Sequence, residues 1–188
     1  MPDPTVEKIF ISANQLLQDS IALAMQILRA GFKPSHIVGV WRGGAPVGIA
    51  VQEVLEFHGL NTDHIAIRTS SYYGIDKQAA LVKVYALDYL VDVLRPENSV
   101  LIVDDVFDSG RSIEAILAEL AKRCRNNLAH DIRVATAYYK PARNKTKLKP
   151  DFYVHETDKW LIFPHELKGL TREEILANKA VDESFFDV

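Results

Sequence analysis

One cysteine stands among 188 residues, which excludes an intramolecular disulfide framework. That residue, Cys124, falls late in a predicted helix where packing is its expected role, and such cysteine poverty suits a reducing compartment. Long apolar runs are lacking too: none approaches the roughly 20 residues that cross a bilayer, so no membrane association is expected. The opening Met1-Pro2-Asp3-Pro4 has no basic stretch leading into an apolar core, so no signal peptide is expected and the chain reads as cytoplasmic. Excess positive charge is also missing. With 22 Lys and Arg against 25 Asp and Glu the formal net charge is −3, which argues against a surface that coats nucleic acid. His36, His58, His64, His130, His155 and His165 show no paired ligand spacing, which argues against a zinc hydrolase. No repeat or low-complexity segment stands out. The 48% hydrophobic and 25% charged residues are ordinary for a globular protein, and residues 1–188 read as one domain.

What is present is concentrated in Val100–Ser112. A β-branched, apolar run delivers two adjacent carboxylates, Asp104 and Asp105, to the end of a predicted strand. Asp108-Ser109-Gly110 then turns into a helix marked by Ile113, Ile116, Leu117, Leu120 and Ala121 at helical spacing. Such a helix start aims unpaired backbone N–H groups at one spot, with the Ser109 and Ser112 hydroxyls beside them, and so seats a phosphate. Gly110 permits the close approach and the unusual dihedrals. Two carboxylates next to that seat suit ribose hydroxyls or a hydrated Mg2+. A buried parallel strand with a capped helix accounts for the apolar run but not for two acids at its exit.

Elsewhere, Ser12 to Gln15 reads as a capping box opening a helix with Leu17, Ile21, Ala24 and Leu28 on one face, ended by Gly31 and Pro34. His36–Trp41 reads as a strand, Arg42-Gly43-Gly44 as a turn and Ala45–His58 as a helix, with Gly59 as its cap. Short strands are predicted at His64–Arg68 and Leu81–Tyr85 around a polar, flexible-looking segment, then at Ile132–Tyr139, Asp151–His155 and Trp160–Phe163. The alternation predicts an α/β fold whose central sheet is largely parallel and flanked by helices. Ligands of such sheets bind beyond the carboxyl ends of the strands, so Arg42–Gly44 and Asp104–Ser112 are expected to face one cleft. The Arg-Gly-Gly turn lacks the Gly-Lys-Ser/Thr continuation of a Walker-type kinase.

Asp104, Asp105, Asp108, Ser109, Gly110 and Ser112 meet every fixed position of a longer pattern. This stretch resembles the phosphoribosyl-pyrophosphate (PRPP) loop of type I phosphoribosyltransferases. Val40–Pro46 resembles the pyrophosphate loop of the purine-salvage branch. Lys140-Pro141, Lys149–Phe152, Asp158–Leu161 and Phe163-Pro164-His165-Glu166 are similar in order and spacing to the hypoxanthine and xanthine–guanine enzymes. The resemblance, running from about His36 to Glu166, implies the type I phosphoribosyltransferase fold with a small base-binding hood. It implies transfer of the ribosyl phosphate of PRPP to a 6-oxopurine, with Mg2+ as cofactor and a homodimer or homotetramer as the assembly.

Carried over residue by residue, the PRPP contacts fall on Asp104, Asp105, Asp108–Ser112 (with Arg111), Arg42, Gly43, and Ser71-Tyr72 of a mobile lid. Lys140 donates to the purine 6-oxo group, Trp160 stacks on the base, and the Leu161 backbone meets the ring edge. Asp104 and Asp105 hold metal, and Glu166 helps hold a second Mg2+ against pyrophosphate. Arg42 offsets leaving-group charge, and Asp108 accepts the N7 proton, its acidity tuned by the other acids of the cleft. A cis peptide is implied between Arg42 and Gly43. Arg172 matches a pyrophosphate-contacting arginine, but Thr171–Glu174 reads better as a capping box. Three departures stand out: Ser109 in place of threonine, an insertion-like basic Arg143–Lys147 stretch near the base site (the basic loop Arg143–Lys149, which alone favours the rival below, is read as a solvated hairpin tip), and a tail over about 176–188 without counterpart. The rival reading is a PRPP-sensing regulator of the same fold without catalysis. Such a protein calls for a basic face and can dispense with Lys140, Trp160 and Glu166.

Overall fold

The computed structural model describes residues 7–73 and 80–187. In chain order they form β1 (Lys8–Phe10), α1 (Ala13–Arg29), β2 (His36–Trp41), α2 (Gly44–Phe57), β3 (Asp63–Tyr73) and β4 (Ala80–Tyr85). Then come α3 (Asp88–Val93), β5 (Ser99–Phe107), α4 (Arg111–Cys124), β6 (Asp131–Tyr139), β7 (Phe152–Glu156), β8 (Trp160–Ile162) and α5 (Arg172–Asn178). Six strands make one sheet in the order β4-β3-β2-β5-β6-β7. All neighbours are parallel except β3 and β4. β1 and β8 form a separate parallel pair, the hood that carries Trp160. The expected α/β architecture is therefore the observed one.

The sheet's two faces bury two apolar clusters. Leu23, Ile27, Val51 and Leu55 of α1 and α2 cover one face, and Leu90, Ile116 and Leu120 of α3 and α4 cover the other. β5 lies between β2 and β6 with Val100–Val103 fully buried, as a strand covered on both faces requires.

Several local expectations are corrected. In α1 the buried stripe is Leu16, Ser20, Leu23, Ala24 and Ile27, whereas Leu17 and Ile21 are exposed. The stripe is rotated because Asp19 points inward, where its carboxylate accepts hydrogen bonds from Tyr138 (2.9 Å) and Gln15 (2.8 Å) and meets His155 Nε2 (2.8 Å). A buried polar residue with its partners supplied hides one register of the helix from hydropathy. Gln15 spends its amide on Asp19, so only half of the capping box forms: Ser12 Oγ accepts from the Gln15 N–H. Thr171 and Glu174 make the full reciprocal box at α5.

The segment between the short strands is not wholly open chain: β3 runs on to Tyr73 and pairs antiparallel with β4, Ser71 opposite Val82 and Tyr72 opposite Leu81. β-Branched and aromatic content overrides polarity there. Ser71 and Tyr72 thus lie in a strand, and their side chains, with residues 74–79, lie outside the described residues. The basic loop is no hairpin tip, since β6 and β7 are parallel. It turns through a 3-10 segment at Pro141–Arg143 and packs on the PRPP-like loop, Lys145 N–H donating to the Ser109 carbonyl at 2.9 Å. The tail is structured as α5 and a 3-10 turn at Glu183–Phe186, and Arg172 pairs with Glu183.

Candidate active site

The carboxyl ends of β2, β5 and β6 and the hood strand β8 enclose one cleft of about 320 Å³. This is where an open parallel sheet places its ligand. Arg42 and Gly43 enter from the β2–α2 turn, and Asp104, Asp105 and Asp108 from β5 and its exit. Lys140 enters from the end of β6, and Trp160, Leu161 and Glu166 from β8 and the turn after it. Beside it a smaller cavity of about 80 Å³ is lined by Ser109, Gly110 and Ser112 together with Asp104 and Asp108. Ser71 and Tyr72 aside, whose side chains lie outside the described residues, most of the residues expected to bind PRPP, base and metal line these two cavities, from four separate chain segments. Arg111 does not join them: it is exposed on the first turn of α4, and its neighbour Ser112 faces the cavity instead. The cis peptide lies between Trp41 and Arg42, one bond before the expected place.

The phosphate seat follows from how α4 begins. Gly110 is its N-cap with φ +77°, and no side chain caps the helix among the described residues. The first-turn N–H groups are therefore left to a ligand, with the helix's positive end behind them. A Cβ on Gly110 would stand 2.5 Å from Thr146 Oγ1 and 2.8 Å from the Phe107 ring, so both dihedral and space demand glycine.

The acids are not equivalent. Burial and the adjacent Asp105 carboxylate lift the Asp104 pKa well above the usual carboxylate range, although the Asp105 N–H donates to Asp104 at 3.0 Å. No cationic side chain pairs with Asp104 among the described residues; Asp105, by contrast, has His165 Nε2 at 3.5 Å. An under-compensated carboxylate pair fits a hydrated divalent cation, which needs one or two protein carboxylates and takes its other ligands from water and phosphate. Among the described residues no three acids or histidines cluster as one metal-ligand set, and Glu166, expected at a second Mg2+, lines the same cleft. Its Oε2 accepts from the Phe163 N–H at 2.9 Å.

The surroundings expected of Asp108 are also corrected. Cations rather than acids face it: Lys140 Nζ lies 3.4 Å from Oδ2, and Arg143 Nε donates to Oδ1 at 2.8 Å. The acid displaced by its acidic neighbour is Asp104.

Asp104→Asn is expected to stabilise the fold while removing one charge of the carboxylate pair. Because the folded-state pKa lies above the unfolded one, ionised Asp104 costs stability at neutral pH. That cost shrinks as pH falls through the raised folded-state pKa and is gone once the ordinary carboxylate range is reached. Thermal unfolding in chelator-containing buffer should show a higher Tm for the variant at pH 7.5, on a scale of about 2–4 °C per kcal/mol. The two curves should converge near pH 4. A lower Tm for the variant at pH 7.5 would contradict the argument.

Four contributors had not been assigned roles. Thr69 of β3 donates to Ser112 Oγ at 3.4 Å, and Trp41 lines the cleft beside Arg42. Arg143 sits 6.0 Å over the Trp160 ring while it holds Asp108. His165 lies flat on Phe163, with ring centroids 5.8 Å apart. His165 and Arg143 stood in segments already singled out, Phe163–Glu166 and the basic loop. Trp41 also stood in such a segment, Val40–Pro46, whereas Thr69 had no local signal, because only the sheet order brings it to the site.

The chain is similar to known phosphoribosyltransferases. A hypoxanthine-guanine phosphoribosyltransferase of Lactococcus lactis is 28% identical over 152 residues, 80% of this chain and 76% of the relative. A xanthine-guanine phosphoribosyltransferase of Desulfotalea psychrophila is 30% identical over 161 residues, 85% of this chain and 86% of its own. The crystal structure of a purine phosphoribosyltransferase from Pyrococcus horikoshii superposes with a TM-score of 0.69 at 25% identity, covering 88% of this chain and 97% of that one. The family model described as the phosphoribosyl transferase domain matches residues 11–169, and with the cleft as described the chain belongs to the phosphoribosyltransferase family.

Proposed function

We propose that the protein is a purine-salvage enzyme that joins a 6-oxopurine, hypoxanthine first and guanine or xanthine as alternatives, to PRPP. The products are the nucleoside 5′-monophosphate and pyrophosphate. The observation that carries this reading is the convergence of a phosphate seat and an acid pair with Lys140, Asp108 and Trp160 in one cleft. Substrate phosphate sits on the uncapped start of α4, and Asp104 and Asp105 take the ribose hydroxyls. The base stacks on Trp160, its 6-oxo group accepts from Lys140, and its N7–H donates to Asp108. As N9 bonds to C1′ and the C1′–oxygen bond to pyrophosphate breaks, N7 loses its proton to Asp108. Arg42 offsets the charge gathering on the leaving pyrophosphate. Holding both reactants in line supplies much of the rate. Mg2+, which Asp104 and Asp105 are fitted to hold, would supply positive charge at the pyrophosphate oxygens.

The assembly is proposed as a homodimer or homotetramer and the compartment as the cytoplasm. The non-catalytic PRPP sensor is the second reading, and buried Lys140 with Trp160 in the cleft speaks against it. A steady-state assay of pyrophosphate release with PRPP, Mg2+ and hypoxanthine, guanine, xanthine, adenine or orotate tests the choice. Turnover is expected with 6-oxopurines and not with adenine or orotate. PRPP binding without turnover on any base would move the sensor to first place.

A further inference from the structure

The wall that faces the base is braced from outside the region shared with the family, which ends at residue 169. β8 brings Trp160 and Leu161 into the cleft, and the turn after it brings Phe163, His165 and Glu166. That turn closes on itself: Glu166 N–H donates to the Phe163 carbonyl at 3.0 Å, and Phe163 N–H donates back to Glu166 Oε2 at 2.9 Å. Its outer side is held by one ammonium. Lys179 Nζ donates to the Phe163 carbonyl at 2.7 Å and reaches the Pro164 carbonyl at 3.5 Å.

Two neutral acceptors are an unusual use for a partly buried cation, because desolvation opposes the charge and carbonyls return only part of it. Burial does lower the Lys179 pKa, and the Glu166 carboxylate opposes that fall. Lys179 is itself fixed: its N–H donates to the Ile175 carbonyl at 2.8 Å, ending α5, and Ile175 is buried. α5 is anchored at its start by the Thr171–Glu174 box, and Lys8 of β1 donates to Glu174 at 2.6 Å. β1 in turn is the pairing partner of β8. Both ends of the described chain thus grip the same short wall.

We propose that Lys179 is a positioning residue for the purine subsite, acting through the Phe163–Glu166 turn to fix the backbone of β8 and the aim of Glu166. The proposal rests on the purine-transfer reading for its kinetic consequence but not for its structural one. Without the ammonium, the Phe163 carbonyl keeps only the Glu166 N–H and the Pro164 carbonyl loses its charged donor. The turn then loosens while β5 and the phosphate seat, on the other side of the cleft, do not.

Lys179→Met and Lys179→Arg separate this from a merely structural stitch. For Lys179→Met, kcat/KM for the base is expected to fall about tenfold through KM, with kcat and the KM for PRPP within about twofold, the scale of one charged hydrogen bond. Lys179→Arg, which retains charge and donors, is expected to recover most of the loss. Hydrogen exchange followed by mass spectrometry on the same full-length proteins should show faster exchange in residues 160–166 of Lys179→Met and unchanged exchange in β5. Unchanged exchange at 160–166 would overturn the proposal, as would faster exchange with an unaltered base KM, or a loosening spread evenly over the sheet. A wild-type protein without turnover would defeat the purine-transfer reading alone. The exchange measurement would still decide whether Lys179 holds the wall.

Discussion

Asp108→Asn is expected to lower kcat by about 10²–10⁴-fold, the usual contribution of a positioned proton acceptor, with the KM for PRPP within a few-fold. The substitution is nearly isosteric and leaves α4's N–H groups as they are, so the phosphate seat survives. What it removes is the negative charge that Lys140 Nζ meets at 3.4 Å and Arg143 Nε at 2.8 Å. The asparagine carbonyl can still accept a hydrogen bond from N7–H, so base binding should weaken only modestly. It cannot take the proton, and the barrier to forming the N9–C1′ bond rises accordingly. Single-turnover measurement of nucleotide formation isolates this step from product release. A loss below tenfold would assign the proton to another acceptor, and a loss carried entirely by the KM for PRPP would make Asp108 a phosphate-loop residue without a chemical role. Lys140→Met separates the two jobs again, since it should raise the KM for 6-oxopurines while Asp108 keeps Arg143.

Much of this site was legible because its chemistry is local. Val100–Ser112 states its strand, its acids and its helix start in thirteen consecutive residues, and the structure realises them as β5, the uncapped Gly110 and α4. The strands at 36–41, 132–139 and 160–163 were legible for a related reason: apolar β-branched runs bounded by turns admit few other readings. What was not legible depended on partners far away in sequence. Asp19 lies inside α1 because Tyr138 and His155, more than a hundred residues later, satisfy it, and that rotates the helix face relative to its hydropathy. β1 has only three residues and gains its identity from pairing with β8. Asp108's surroundings were misread because acids crowd it in sequence, whereas cations from β6 and the following turn surround it in space. Lys179, at the far end of the chain, carried no signal at all.

The expectation that separates sterics from chemistry concerns Gly44, the first residue of α2, which packs directly on β5. A Cβ there would fall inside contact distance of the Val103 carbonyl oxygen and 2.9 Å from the Asp104 Cα. Neither atom can yield, because both belong to the backbone of a strand paired to β2 and β6. Gly44→Ala must therefore push the start of α2 away from β5. A cost near 3 kcal/mol, the upper end of ordinary overpacking, is expected, with a Tm lower by about 6–12 °C. The same displacement separates Arg42 and Gly43 from Asp104 and Asp105, and misplacement of about 1 Å is enough for a hundredfold loss in kcat/KM. Gly48→Ala, one turn further along α2, is the control. Its Cβ would meet nothing closer than 3.8 Å and the helix gains a better helix former, so its Tm should hold or rise and its activity persist. Equal Tm losses in the two variants would show that α2 tolerates no side chain on this face. An unchanged Gly44→Ala would mean that α2 and β5 do not meet as closely as the fold requires, and the placement of Arg42 against the acid pair would fall with it.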